Sequence, residues 1–435
     1  MATRVPPYAV GPAGGTVFEK RIFTSVLDIP DQSDLAVILV KADDVPRVME
    51  EYAQKGIKRI IIQSGGFSEY REEKQILDNE LIRICRKYGM RLIGPNCMGV
   101  INIHNGLFLP FGLHDPDAFR AGPVGIISQS GNVILNYSMA LSFGKIGISK
   151  AASIGNKLDV DEVDILIYYL EDPQTKIIFL YLESFSRARE LMELASRSTK
   201  PILIQKSNIF PLSHGIARSH TKALASDDQV VEAAFRQAGI IRVKDLDELL
   251  NCVKILLLPP LRGNRLLLMA NSGGKAVMAA DECQRNGLTL PALPQTLLNW
   301  IEGLGRAGII SLQNPLDLGD IHDMTVHRQV LDKLQTLSEE IDAIFYSLVY
   351  ADKWDALLDY QTLFDFCSHL VSTAEIPVII RLDPESLSFL DALRKRFSIP
   401  VFVSISETFT AYRKVLDAQK KKAQRFNFGR KDQPI

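Results

Sequence analysis

The stretch Val124–Asn132, V-G-I-I-S-Q-S-G-N, decides the fold of this chain. A short apolar run ends in a Ser-Gly step, and an amphipathic segment of helical length follows it. Two further stretches repeat this pattern, Arg59–Gly66 (R-I-I-I-Q-S-G-G) and Leu266–Gly274 (L-L-L-M-A-N-S-G-G). Each is typical of a β-strand that turns into a helix, and three of them indicate an array of α/β units.

Each Ser-Gly turn is also a candidate anion pocket. Glycine lets the backbone approach a ligand closely, serine adds a hydroxyl donor, and a helix start supplies unpaired N–H groups. The alternative is that such turns carry Ser and Gly only to turn and to cap a helix. Because the pattern recurs, we predict that the chain handles phosphate-bearing molecules.

Composition excludes several classes of protein. The chain has 435 residues, enough for roughly two to four domains. Hydrophobic content of 46% and a net charge of −1 argue against broad nucleic-acid or membrane-surface binding. No apolar run reaches the roughly 18 residues that span a bilayer, and the N-terminus lacks a signal-peptide layout. Five scattered cysteines without Cys-x-x-Cys spacing predict neither a disulfide framework nor a metal site, and they fit a cytoplasmic protein.

Strand-like runs alternate with helix-length segments, the pattern of parallel sheets with crossover helices. We predict three consecutive Rossmann- or flavodoxin-like parallel-sheet domains, at residues 1–113, 114–259 and 260–420, followed by a basic tail at 421–435. Strands are predicted at 35–40, 59–63, 91–93, 124–128, 149–154, 177–182, 201–205, 240–243, 265–270, 343–348, 377–381 and 400–403. Helices are predicted at 43–54, 68–88, 132–143, 161–170, 187–197, 227–237 and 246–256.

The first domain begins unusually. A complete dinucleotide-type domain opens with a strand and a Gly-rich phosphate loop. The segment Met1–Pro7 is too short for both. We therefore expect this domain to lack its opening strand and Gly-rich loop.

Two residues are candidates for catalysis. His220 lies in the connection Ser207–Ser226, which is long for this fold class, and a loop histidine can be phosphorylated and then deliver its phosphoryl group. Glu183 follows an apolar strand, where it could orient an imidazole. The alternatives are a solvent-exposed loop histidine and a helix-capping or surface carboxylate. Asn156–Glu162 is most simply interpreted as a helix cap.

A set of motifs, in order along nearly the whole chain, resembles the α subunit of NDP-forming acyl-CoA synthetases, relatives of succinyl-CoA synthetase. The motifs are Ser25–Pro30, Gly66–Glu69, Gly94–Asn102, Ser128–Gly131, Gly155–Glu162, Ser219–Thr221, Ala234–Val243 and Asn314–Asp317.

The resemblance implies the reaction acid + CoA + ATP ⇌ acyl-CoA + ADP + phosphate, with an acyl phosphate and a phosphohistidine as intermediates. It assigns the phosphoryl carrier to His220 and the carboxylate that steadies it to Glu183. The phosphate and acyl site falls on Ser128, Ser130, Gly131 and Asn132. The CoA-binding residues fall on Gly14, Gly15, Gln63, Ser64, Gly65, Asn96 and Cys97. ATP or ADP and Mg²⁺ are expected on a separate ATP-grasp β-type subunit, in a heterotetramer.

Several positions depart from the family pattern. Ala13 replaces a lysine of succinyl-CoA synthetase, and Lys222 and Ser226 replace glycines after the histidine. Leu135 stands where succinyl-CoA synthetase has a substrate-contacting tyrosine, which argues against succinate as the acid. We expect a small monocarboxylic or aryl acid. Two alternatives stay open: a CoA- or acyl-CoA-binding scaffold or regulatory subunit without turnover, and a nucleotide-independent acyl or carbamoyl transferase.

Overall fold

The computed structural model describes residues 7–213, 227–304, 311–319, 321, 323–349, 365, 368–369, 374–383 and 400–429. The chain forms two compact units, Met1–Val243 and Lys244–Ile435. In the described residues the strands form four sheets, largely parallel, and helices make most of the connections. This confirms the predicted α/β class.

The first unit begins with two small sheets. Strands β1 (Ala9–Val10), β2 (Gly15–Val17) and β3 (Lys20–Phe23) form a sheet in the order β1-β3-β2. Strands β4 (Ala36–Ile38), β5 (Arg59–Ile62) and β6 (Arg91–Ile93) form a parallel sheet, with α1 (Val45–Gln54) and α2 (Gln75–Tyr88) as crossovers. Met49, Ile62, Leu81 and Leu92 belong to the buried core of the second sheet.

A seven-stranded sheet forms the rest of this unit, in the order β13-β12-β11-β9-β10-β7-β8. Its strands are β7 (Val100–Asn102), β8 (Leu107–Phe108), β9 (Ala121–Ser128), β10 (Ile148–Ser153), β11 (Ile177–Leu182), β12 (Ile202–Lys206) and β13 (Ile241–Arg242). Its helices are α3 (Gly131–Phe143), α4 (Glu162–Glu171), α5 (Ala188–Arg197) and α6 (Asp228–Ala238). The strands β9 to β13 are parallel, so their carboxyl ends share one edge.

The second unit has a five-stranded parallel sheet in the order β15-β14-β16-β17-β18. Its strands are β14 (Leu266–Ala270), β15 (Leu316–Asp317), β16 (Ala343–Val349), β17 (Val378–Asp383) and β18 (Val401–Phe402). The helices are α7 (Leu246–Leu256), α8 (Gly273–Arg285), α9 (Gln295–Glu302), α10 (Met324–Gln335) and α11 (Ile405–Gly429).

Local chemistry sets the helix ends. Asp161 caps α4 through bonds from Val163 N and Asp164 N, in a capping box that confirms the capping role predicted for this segment. Gly89 and Gly239 directly follow α2 and α6, and their left-handed conformations suit glycine at a helix terminus.

The structure differs from the predicted elements in several places. The helix predicted from Ser68 begins at Gln75. Strands β7 and β8 were not predicted, and they join the seven-stranded sheet in antiparallel orientation. Helix α7 falls within the predicted domain 114–259, but it belongs to the second compact unit. There it packs against α11, and Glu248 pairs with Lys414 at 2.6 Å. Part of the predicted basic tail continues α11 to Gly429. The predicted domain boundaries stay predictions.

Candidate active site

The second Ser-Gly turn follows β9 and begins α3. The Ser130 hydroxyl caps the helix by accepting from Val133 N at 3.5 Å. Ser128, fully buried, donates to Ser130 O at 2.7 Å and accepts from Ser130 N at 3.1 Å. The N–H groups of Gly131 and Asn132 lie in the first turn of the helix, where no intrahelical acceptor exists. This turn therefore offers an anion two backbone donors and the positive end of a helix.

The first Ser-Gly turn, after β5, has a different construction. The N–H groups of Gly66 and Phe67 donate to Glu69 Oε1 at 2.7 and 3.2 Å. Helix α2 begins later in the chain, at Gln75, so this turn does not lead directly into a helix. Its backbone donors therefore bind a carboxylate of the chain itself.

Side chains fasten this turn to neighbouring segments. Buried Ser64 accepts from Val40 N at 3.0 Å. Gln63 Nε2 donates to Leu109 O at 2.9 Å and to Met98 O at 3.3 Å. Gly65 is exposed and lies close to Asn96, because a Cβ on it would be 3.1 Å from Asn96 Oδ1.

The turn after β6 carries two more of the predicted CoA-binding residues, Asn96 and Cys97. Asn96 N donates to Ser64 O at 2.8 Å, so Asn96 lies beside the first turn. Cys97 is buried, its thiol donates to Ile62 O at 3.2 Å, and burial raises the pKa of that thiol to about 12. The Cys97 thiol is thus not nucleophilic at neutral pH. Gln63, Ser64, Gly65, Asn96 and Cys97 come together at the carboxyl ends of β5 and β6.

Met98 joins these residues to the start of α3. A Cβ on Gly131 would lie 3.1 Å from Met98 Cβ, so the helix start packs against the Met98 side chain. Met98 N donates to Ser153 Oγ at 2.9 Å, and Met98 O accepts from Gln63. The predicted CoA turn and the predicted phosphate turn therefore lie on either side of one residue.

A second link runs through Asn156. Its Nδ2 donates to Glu69 Oε2 at 2.7 Å, and its Oδ1 accepts from Asn96 Nδ2 at 3.4 Å. The next residue, Lys157, donates to Ser184 O at 2.9 Å. Asn156 and Lys157 thus connect the first Ser-Gly turn, the turn after β6 and the turn that carries Glu183.

Buried side chains hold the backbone around Glu183. Gln129 Oε1 accepts from Glu183 N at 2.9 Å and from Ser184 N at 3.2 Å. Lys206 Nζ donates to Glu183 O at 3.0 Å. Lys157, which donates to Ser184 O, pairs with fully buried Glu162 at 3.0 Å. Side chains from three separate segments therefore hold the backbone of Glu183 and Ser184.

Of the two catalytic candidates, only Glu183 lies within the described residues. Glu183 lies partly buried at the carboxyl end of β11. His220 lies outside the described residues. The described segment that leads toward it begins at Ser207, whose N–H donates to Leu182 O at 2.9 Å.

The two remaining residues predicted to bind CoA, Gly14 and Gly15, lie at the turn into β2, where they have positive φ, +62° and +101°.

Sequence reasoning missed the residues that hold these turns together: Glu69, Met98, Gln129, Asn156, Lys157 and Lys206. A lysine at the end of the apolar run Ile202–Lys206 was the clearest available signal. The others stand inside motifs already noted, but local sequence does not reveal what their side chains reach.

Two kinds of feature are absent from the described ranges. No cluster of three or more His, Cys, Asp or Glu side chains there is arranged to hold a metal ion. Among the helices described, none is both long and apolar enough to cross a membrane.

Comparisons with known proteins bear directly on this arrangement. Residues 2–103 match the family model of a CoA binding domain, and residues 121–256 match that of a succinyl-CoA ligase like flavodoxin domain. The α subunit of acetate–CoA ligase (ADP-forming) I from Pyrococcus furiosus is 37% identical over 306 residues, which cover 70% of this chain and 65% of that subunit. The chain belongs to the ADP-forming acyl-CoA synthetase family.

Two further members agree with this assignment. Acetate–CoA ligase (ADP-forming) II from Archaeoglobus fulgidus is 36% identical over 315 residues, 72% of this chain and 46% of that protein. The solved dinucleotide forming acetyl-coenzyme A synthetase 1 of Candidatus Korarchaeum cryptofilum, in complex with phosphate and ADP, superposes with a TM-score of 0.85. It is 26% identical and covers 97% of this chain and 90% of its own. The chain spans 46 to 65% of the two curated synthetases.

Proposed function

We propose that this chain is the α-type component of an ADP-forming acid–CoA ligase, which converts acid, CoA and ATP into acyl-CoA, ADP and phosphate. The observation that carries the proposal is the arrangement around Met98. Gln63 of the CoA turn donates to Met98 O at 3.3 Å, and the α3 start at Gly131 packs against the Met98 side chain. An acyl phosphate held at that helix start would lie beside a thiol bound at the CoA turn.

The chemistry takes two steps. A carboxylate oxygen of the acid attacks the phosphorus of phosphorylated His220, the N–P bond breaks, and acyl phosphate and free imidazole result. The CoA sulfur then attacks the carbonyl carbon, the C–O bond to phosphate breaks, and phosphate leaves with the thiol proton. The N–H groups of Gly131 and Asn132 stabilise the phosphate charge in both steps. Glu183 orients the imidazole.

ATP enters this scheme through a second subunit. We propose an ATP-grasp β-type partner that binds ATP and Mg²⁺, phosphorylates His220, and assembles with this chain into a cytoplasmic heterotetramer. The Pyrococcus furiosus relative, whose name designates it an α subunit, supports a partner. We further propose that the acid is small and monocarboxylic or aryl.

Labelling tests the proposal. The chain, its partner and γ-³²P-ATP should give label that is stable in base and labile in acid, as expected of phosphohistidine. His220→Asn should abolish the label and turnover but leave CoA binding unchanged, because the imidazole acts only in phosphoryl transfer. Substituting His214 in the same connection provides a control that keeps the label. Label that survives His220→Asn would contradict the assignment.

A further inference from the structure

Lys206 is a buried lysine at the carboxyl end of β12, only 4% exposed. Its ammonium donates to two backbone carbonyls, that of Glu183 at 3.0 Å and that of Ser207. Both acceptors directly follow a strand. Lys206 thus binds the chain at the two points where β11 and β12 leave the sheet.

Strand register explains this reach. Leu182 and Lys206 are paired across β11 and β12, so the residues after them, Glu183 and Ser207, start their connections side by side. Ser207 N donates to Leu182 O at 2.9 Å, which adds one backbone bond between the two connections. The Lys206 ammonium bridges the two connections by binding a carbonyl of each, and it lies 5.9 Å from the Phe185 ring centroid.

We propose that Lys206 is a positioning residue for phosphoryl transfer. It fixes the carbonyl next to the Glu183 side chain and the carbonyl that begins the connection toward His220, and so sets the carboxylate relative to that connection. This inference rests on the roles proposed for Glu183 and His220.

The positive charge of Lys206 is essential to this role, because an ammonium binds carbonyl oxygens more strongly than a neutral amine does. Burial lowers the pKa of Lys206 to about 8. Asp228 on α6 and Glu183 favour the charged form, whereas Arg242 on β13 and Lys157 oppose it. As the pH rises through about 8, the bonds to Glu183 O and Ser207 O weaken, and phosphoryl transfer slows.

Stability responds to the same titration with the opposite sign. The folded-state pKa lies below the ordinary lysine value of 10.5, so between those pH values the unfolded chain binds more protons at this site. The contribution of Lys206 to stability therefore increases as the pH rises from about 8 to 10.5. A residue with only a structural role would not slow transfer in that range.

The test uses the rate of ³²P labelling at His220 by the partner and ATP, from about pH 6 to about pH 9.5, a range that brackets the titration. The wild-type rate should fall above about pH 8. Lys206→Arg should retain the rate, because a guanidinium stays charged across that range, and should lose the alkaline decline. Lys206→Met should be slower by about 100-fold, the cost of a displacement near 1 Å, and flat across that range.

Lys200→Met is the matched control, since Lys200 also donates to two carbonyls, those of Tyr169 and Asp172, each at 2.7 Å. Lys200 lies before β12 rather than at its carboxyl end, so this variant should keep the wild-type profile. Circular dichroism checks that each variant is folded. A wild-type rate and pH profile in Lys206→Met would overturn the inference.

A second readout separates this inference from the proposed function. If the wild-type chain takes no label, the phosphohistidine assignment fails, and Lys206 is then tested by hydrogen exchange on the chain alone. Lys206→Met should exchange faster at residues 183–186 and 207–213, whereas Lys200→Met should not. Unchanged exchange in both segments would disprove the positioning role.

Discussion

The first two Ser-Gly turns share a sequence pattern but present their backbone donors to different partners. After β9, Ser130 caps α3, and the N–H groups of Gly131 and Asn132 are left at a helix terminus. After β5, the N–H groups of Gly66 and Phe67 bind Glu69. One turn is suited to an external anion, and the other already contains an anion of the chain.

The third turn, after β14, differs from both. Helix α8 begins at Gly273, as α3 begins at Gly131, but Ser272 makes no side-chain capping bond. A Cβ on Gly273 would lie 2.8 Å from Asp317 Oδ2, so a carboxylate lies beside this helix start. Sequence pattern alone therefore does not identify an anion site, because a nearby carboxylate changes the electrostatics of the turn.

The largest expected effect concerns the first turn. Glu69→Ala removes the acceptor of Gly66 N and Phe67 N and the partner of Asn156. We expect a loss of about 3 kcal/mol in stability, as for several hydrogen bonds to one charged group. Both tryptophans, Trp300 and Trp354, belong to the second unit, so tryptophan fluorescence does not report on this turn. Hydrogen exchange across β4 to β6 measures the loss of stability instead. Glu69→Gln, which keeps an acceptor oxygen, should lose about 1 kcal/mol. Equal losses in the two variants would refute this account of the turn.

An intermediate effect is expected for Ser64→Ala. The change leaves Val40 N without the acceptor it has at 3.0 Å, at a site where the serine is buried. The expected cost is about 1–2 kcal/mol, that of an unsatisfied donor. It is measured by exchange in β4 and β5. Ser68→Ala, at another buried serine of the same segment, is the comparison variant. Protection equal to that of the wild type would show that this bond contributes nothing.

The smallest effects compare the second and third turns. Ser130→Ala removes a helix cap and should cost about 1 kcal/mol. Ser272→Ala removes no capping bond and should cost less than about 0.5 kcal/mol. Exchange in α3 reports the first change, and tryptophan fluorescence during urea unfolding reports the second. A larger loss of stability in Ser272→Ala than in Ser130→Ala would contradict the capping roles assigned to the two serines.

The sequence-based predictions succeeded where neighbouring residues carry the information. The strand predicted at 177–182 is β11, and the helix predicted at 246–256 is α7. The predicted start of α2 was wrong, because the chain first makes a turn at Phe67, closed by Tyr70 N donating to Phe67 O at 3.0 Å, and then a 3₁₀ turn at Glu72–Lys74. Strands β7 and β8 were missed because they are too short for an alternating pattern to be visible.

The sequence by itself determined the α/β class, the Ser-Gly turns and membership of the family, because periodicity and turn chemistry act between residues close in the chain. Only the tertiary structure decided which turn keeps free donors and what holds Glu183 in place. Gln129, Lys157 and Lys206 reach that turn from three separate segments. Their meeting depends on the order of strands β9 to β12 in the sheet, which no local pattern encodes.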